Sequence, residues 1–102
     1  MIVHCVFVRF RPDVPATERQ AIYDGIAALK NVIDGIIEVR SGSNVSPEGL
    51  DSGYSDGFIV TFENVAARDV YLGHPDHRIV GDRLIAAAAG GTSGLLVFDM
   101  PV

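Results

Sequence analysis

The segment Tyr71-Leu72-Gly73-His74-Pro75-Asp76-His77 places a phenol and two imidazoles close together in the chain. These are groups that move protons near neutral pH. Abstracting a proton beside a carbonyl requires a base with a pKa near the working pH and a donor aimed at the oxygen where charge develops. Histidine, with an ordinary pKa of about 6.5, and tyrosine suit those two roles. To act together, Tyr71 and His77 must both face the space between helices and sheet, so the break at His74-Pro75 has to turn the chain between them. The plain alternative is that the two side chains bond to each other or to backbone and only fix an interrupted helix.

His4 sits among Val3, Val6 and Val8. It reads first as a hydrogen-bonded core histidine and second as a group lining a pocket. His74 and His77, with His4 as a third ligand, have a permissive metal spacing, but Pro75 breaks the helical face that would bring the imidazoles together. No metal is therefore expected, and His74 is expected at the surface. Arg68 precedes Tyr71 by three residues and shares its helix face, while Asp56 opens the neighbouring strand. Turned inward, Arg68 would pair with Asp56 and give the pocket a charged end; the alternative leaves Arg68 in solvent. Tyr23 and Phe58 complete the expected binding lining. Gly42, Gly49, Gly53 and Gly57 match neither G-x-G-x-x-G nor the P-loop spacing, so they read as turn residues.

The elements that must position these groups follow from periodicity. Ile2 to Phe10 is a β-branched and aromatic run closed by Arg11-Pro12-Asp13, a first strand. Ile22, Ile26, Leu29 and Ile33 recur on one helical face from Pro15 onward, Thr17 and Gln20 have the form of a capping box, and Gly35 ends the helix. Ile36 to Arg40 reads as a second strand, followed by a loop rich in turn residues. Tyr54 to Phe62 alternates as a third strand. Asn64 caps a helix through Leu72, a second helical piece runs from about Asp76 to Ala89, and Gly94 to Phe98 forms a fourth strand. The order predicts an α+β fold of one domain over residues 1–102, a ferredoxin-like βαββαβ with a four-stranded antiparallel sheet.

Both faces of that sheet are apolar. Val6, Val8, Phe58, Val60, Leu95 and Val97 point one way, whereas Cys5, Phe7, Ile59, Leu96 and Phe98 point the other. The helices cover only one face, so the chain is expected to pair with itself through the other, sheet against sheet.

Composition excludes several classes. With 102 residues, 48% apolar and 21% charged, the chain is a small globular domain. A formal charge of −5 and no basic stripe argue against nucleic acid as a partner. The apolar stretch Leu84 to Ala89 is far shorter than the roughly 20 residues of a membrane span. The N-terminus shows no secretory leader, and the lone Cys5 behaves as a small hydrophobe, so a cytoplasmic location is expected.

Several segments together resemble the stress-responsive A/B barrel (Dabb) family: His4 through Phe10, Gly42 through Ser46, Gly53 through Phe58, Phe62, and above all Tyr71 through His77. The resemblance implies a dimeric α+β barrel. A branch of plant polyketide cyclases in this family works without a cofactor. Carried over, it implies that Tyr71 holds a substrate carbonyl, that His77 is the base and that His4 lines the cavity. The family's third strand commonly begins with a threonine-histidine pair where this chain has Ser55-Asp56, so the polar end of the cavity differs. Most members have no assigned reaction, so a non-enzymatic stress or structural dimer is the alternative from another class. Cofactor-free oxygenase chemistry is a third possibility, by fold analogy alone.

Overall fold

The N-terminal β-branched run and the alternating segment before Phe62 become the two central strands of one sheet. The computed structural model describes Met1–Val102. Its elements are β1 (Ile2–Val8), α1 (Ala16–Ala28), β2 (Ile36–Ser43), β3 (Asp56–Phe62), α2 (Val65–Gly73), α3 (Pro75–Ala87) and β4 (Leu95–Pro101). The strands lie in the order β2-β3-β1-β4, every neighbouring pair antiparallel, which is the expected ferredoxin-like topology. No helix is long and apolar enough to cross a membrane.

Ile22, Ile26, Leu29 and Ile33 are buried as their spacing predicts. The capping box does not form. The helix starts at Ala16, so Thr17 already lies inside its first turn, and the Gln20 side chain donates instead to Asp24 at 2.9 Å. Gly25 sits where α1 crosses α3: a Cβ there would lie 2.8 Å from Val80 Cγ2, so the missing side chain sets how closely the helices approach. After α1 a single 3-10 turn, Leu29–Asn31, leads to Gly35, whose φ of +90° turns the chain into β2 beneath Ala67. Ile37 is the extra residue of a bulge in β2, whose pairing steps from Ile36↔Phe62 to Glu38↔Thr61.

Two strands run further than their propensities indicate. β2 continues past Arg40 to Ser43, and β4 continues past Phe98 through Asp99 and Met100 to Pro101. Proline is tolerated there because β4 is an edge strand with one side free of ladder bonds.

Val6, Val8, Phe58, Val60 and Phe62 face the helices, and Ile22, Ile26, Tyr71, Val80 and Leu84 close over them as one core. On the opposite face Phe7, Leu96, Phe98 and Met100 are exposed, Phe98 by 56%. Cys5 belongs to that face by alternation but is buried between its cross-strand neighbours Ile59 and Phe98, so its sulfur is not part of the open surface.

Candidate functional site

The helix break at Gly73-His74-Pro75 builds the site. Asn64 caps α2 by accepting the Ala67 N–H at 2.9 Å, and α2 ends at Gly73 because the residue before a proline is kept out of helical geometry. His74 is extended, with φ −74° and ψ 135°, and its Nδ1 accepts the Asp76 N–H at 3.1 Å. It is therefore the N-cap of α3, with Pro75 at the first helical position, and it is half-buried rather than at the surface. In an unbroken helix His77 would stand about 9 Å beyond Tyr71 and about 120° around the axis. The corner instead brings the two rings together, 4.2 Å between centroids and tilted by 46°.

Tyr71 is buried, with its ring edge-on to Phe62 at 5.0 Å and to His4 at 5.8 Å. Its hydroxyl has no hydrogen-bond partner, and burial pushes the phenol well above its ordinary pKa. An unsatisfied buried hydroxyl costs about 1–3 kcal/mol. His77, half-buried, is held below the ordinary imidazole value, first by burial and then by the charge of His4; the Leu72 carbonyl opposes this and His74 adds to it. Around neutrality the cluster thus offers a proton donor without a partner beside an imidazole biased toward its neutral, proton-accepting form.

His4 meets a residue that sequence reasoning missed. Its Nδ1 lies 2.5 Å from Asp99 Oδ1, and the second Asp99 oxygen accepts from Arg68 at 3.1 Å. Arg68 does turn inward, but toward Asp99 and not Asp56; it also pairs with Asp69 at 3.0 Å. Register explains the correction. His4 stands opposite both Val60 and Asp99, whereas Asp56 lies four residues before Val60 in β3, about 13 Å away along the strand. Asp99 falls on the inward face two residues after Val97, a signal that the alternation of β4 carries once the strand is extended past Phe98.

The remaining expected residues form a second group at the other end of the core. Asp56 accepts from the Ser43 hydroxyl at 2.7 Å and lies 3.6 Å from the Arg19 guanidinium, which stacks over Phe10. Tyr23 and Phe58 meet edge to face at 6.4 Å, and the Tyr23 hydroxyl makes no hydrogen bond of normal geometry. Burial, with the Asp56 charge adding to it, pushes the Tyr23 phenol up to about 12.

Around Tyr71 the rings of His77, Phe62 and His4 stand 4.2, 5.0 and 5.8 Å away between centroids. A groove of about 470 Å³ lies elsewhere, against the open face of the sheet, walled by Phe7, Ser43, Tyr54, Gly57, Ile59 and Leu96. No three histidine, cysteine, aspartate or glutamate side chains converge as metal ligands.

The family model described as the stress responsive A/B barrel domain matches residues 2–102. The chain is 32% identical over 76 residues to the stress-response A/B barrel domain-containing protein HS1 of Arabidopsis thaliana, a match spanning 74% of this chain and 70% of that one. It is 26% identical over 81 residues to olivetolic acid cyclase of Cannabis sativa, spanning 79% and 80% of the two chains. Among solved structures, a dimeric ferredoxin-like protein of unknown function from Jannaschia sp. CCS1 superposes with a TM-score of 0.83 at 31% identity, covering 99% of this chain and 98% of that one.

Proposed function

The chain belongs to the stress-responsive A/B barrel family, and from that premise we propose that it binds a small carbonyl compound and moves a proton on it, with Tyr71 as donor and His77 as acceptor. One observation carries the reading: the Tyr71 hydroxyl is buried without a partner beside an imidazole whose pKa is lowered. A carbonyl oxygen on that hydroxyl would supply the missing acceptor. As charge develops on the oxygen, the hydroxyl bond strengthens in a water-poor setting. His77 takes the proton from the neighbouring carbon. His77 is half-buried where Tyr71 is buried, so a ligand would approach from the His77 side. The likeness to olivetolic acid cyclase agrees with a polyketide-like carbonyl substrate.

Acetophenone in deuterated buffer tests this. The protein is expected to accelerate exchange of its α-methyl protons, and Tyr71→Phe and His77→Gln are each expected to lower that acceleration by about 10²–10⁴-fold. Exchange no faster than buffer overturns the reading for this class of ketone.

A second reading is favoured by the close ring contacts around Tyr71: the aromatic cluster holds the interrupted helix, and the folded dimer is itself the working product. Both readings share the dimer. We infer that it forms through the open sheet face, where burying Phe7, Ile59, Leu96, Phe98 and Met100 at about 1.5–3 kcal/mol each would contribute on the order of 10 kcal/mol. The Jannaschia protein, described as dimeric, supports self-association.

A further inference from the structure

The open face of the sheet is uneven from one edge to the other. Gly42, Gly57, Phe7 and Leu96 stand opposite one another across β2, β3, β1 and β4, so this row begins with two residues that raise no side chain. It forms the floor of the groove of about 470 Å³, and Leu50 and Tyr54 of the segment 44–55 wall its end. On the β4 edge the same face carries the exposed side chains of Phe98 and Met100. Each copy of the chain therefore presents a hollow on its β2 and β3 side and a ridge on its β4 edge.

Segment 44–55 is built as a rigid arm. The Asp51 carboxylate accepts from the Asn44 side-chain amide at 2.9 Å, from the Gly53 N–H at 2.9 Å and from the Ser55 hydroxyl at 3.1 Å. The Gly53 N–H first, then Asn44 and Ser55, hold its carboxyl below the ordinary value, so it remains an acceptor at neutral pH. At the base of the arm the Arg9 guanidinium lies 4.8 Å over the Tyr54 ring, and both side chains donate to the Ser93 carbonyl. Leu50, next to this hub, is nevertheless 78% exposed. An apolar side chain that a fixed loop holds in water beside an apolar groove marks a contact surface, and the prior fixing spares part of the ordering cost of association.

We propose that the arm and the glycine-floored groove are a socket for the Phe98 and Met100 ridge of a second copy of this chain, with Asp51 as the positioning residue that holds Leu50 over it. Ridge against ridge would keep two sheets apart and leave both hollows as voids, whereas ridge in hollow lets one two-fold pair fill both at once. The inference rests on the sheet-to-sheet pairing proposed above and adds which part of each face meets which.

Sedimentation equilibrium of the full chain reads the dimer dissociation constant. Gly42→Phe raises a ring from the groove floor at a position where an added Cβ meets nothing within 4 Å. It and Leu50→Ser are each expected to weaken the dimer about tenfold or more, with unchanged far-ultraviolet circular dichroism. Asp51→Ala is expected to do the same, and Asp51→Asn, which keeps one acceptor oxygen, to weaken it less. In a Phe98→Ala background the loss from Leu50→Ser is expected to shrink, because the side chain it closes on is gone. A dimer that withstands Leu50→Ser and Gly42→Phe, as it would were the groove a small-molecule pocket, overturns the socket, and so do fully additive losses at positions 50 and 98. If such a dimer is still split by Phe98→Glu, the sheet-to-sheet reading stands without the socket; a chain that is monomeric throughout overturns both.

Discussion

The rings of Tyr71 and His77 lie 4.2 Å apart across a helix break held by the His74 cap and Pro75. Their contact is a tilted one, 46° between the ring planes, and the Tyr71 hydroxyl is left with nothing to bond. That combination separates the role of the ring from the role of the oxygen.

Tyr71→Phe keeps the ring and removes the unsatisfied hydroxyl. Stability in urea unfolding is expected to stay level or rise by about 1 kcal/mol, whereas Tyr71→Ala is expected to cost about 3–5 kcal/mol through the cavity it leaves. A loss above 2 kcal/mol for the phenylalanine variant would mean that the hydroxyl has an internal partner.

His77 titrates below its ordinary value, so the unfolded chain takes up that proton first as pH falls. The His77 contribution to stability is therefore full above about pH 6.5, declines as pH drops through that value, and levels off below the folded-state pKa. Because the charge of His4 is one cause of the shift, His4→Asn is expected to raise the His77 pKa. Proton NMR of the imidazole ring reads this directly, and an unchanged His77 titration would refute the coupling.

At high pH the tyrosines act in the opposite sense. Tyr23 and Tyr71 keep their protons in the folded state well above the ordinary value of about 10. The unfolded chain loses those protons first, so stability is expected to fall as pH rises beyond about 10. Tyr23→Phe should flatten part of that decline in denaturation midpoints measured between pH 9 and pH 11.

Gly25→Ala pits helix propensity, worth up to about 1 kcal/mol in favour of alanine, against contact with the stiff Val80 side chain. The net expectation is a loss of about 1 kcal/mol. Adding Val80→Ala should make the alanine at position 25 favourable, a sign change that a double-mutant cycle resolves.

Phe98→Glu puts a charge on the open sheet face, on the edge strand β4, without touching the helix-side core. It is expected to convert a dimer into a monomer with the same far-ultraviolet circular dichroism, as judged by light scattering. A dimer that survives the substitution would place the interface elsewhere.

Local pattern was sufficient for the fold. Alternation in β1 and β3, the i, i+4, i+7 spacing from Ile22 to Leu29 and the proline after His74 are each written within a dozen residues, and backbone geometry translates them directly into elements and faces. The same reasoning located Tyr71 and His77 on either side of a corner, because a proline excludes helix before it whatever the rest of the chain does.

Partner choice was beyond its reach. Arg68 and Asp56 looked like a pair because each was assigned to neighbouring elements, but position along a strand is set by register. Register depends on how β1, β3 and β4 align, and it puts Asp99 opposite His4 from 95 residues away. Propensity ended β4 three residues too early, at Phe98, since aspartate and proline are poor strand formers and only an edge position in the assembled sheet admits them. The amino-acid order by itself determined the elements, the two apolar faces and the phenol-imidazole corner. The tertiary structure alone decided which carboxylate holds His4 and that the rings around Tyr71 close on one another, because both depend on contacts between segments whose spacing in sequence carries no record of their spacing in space.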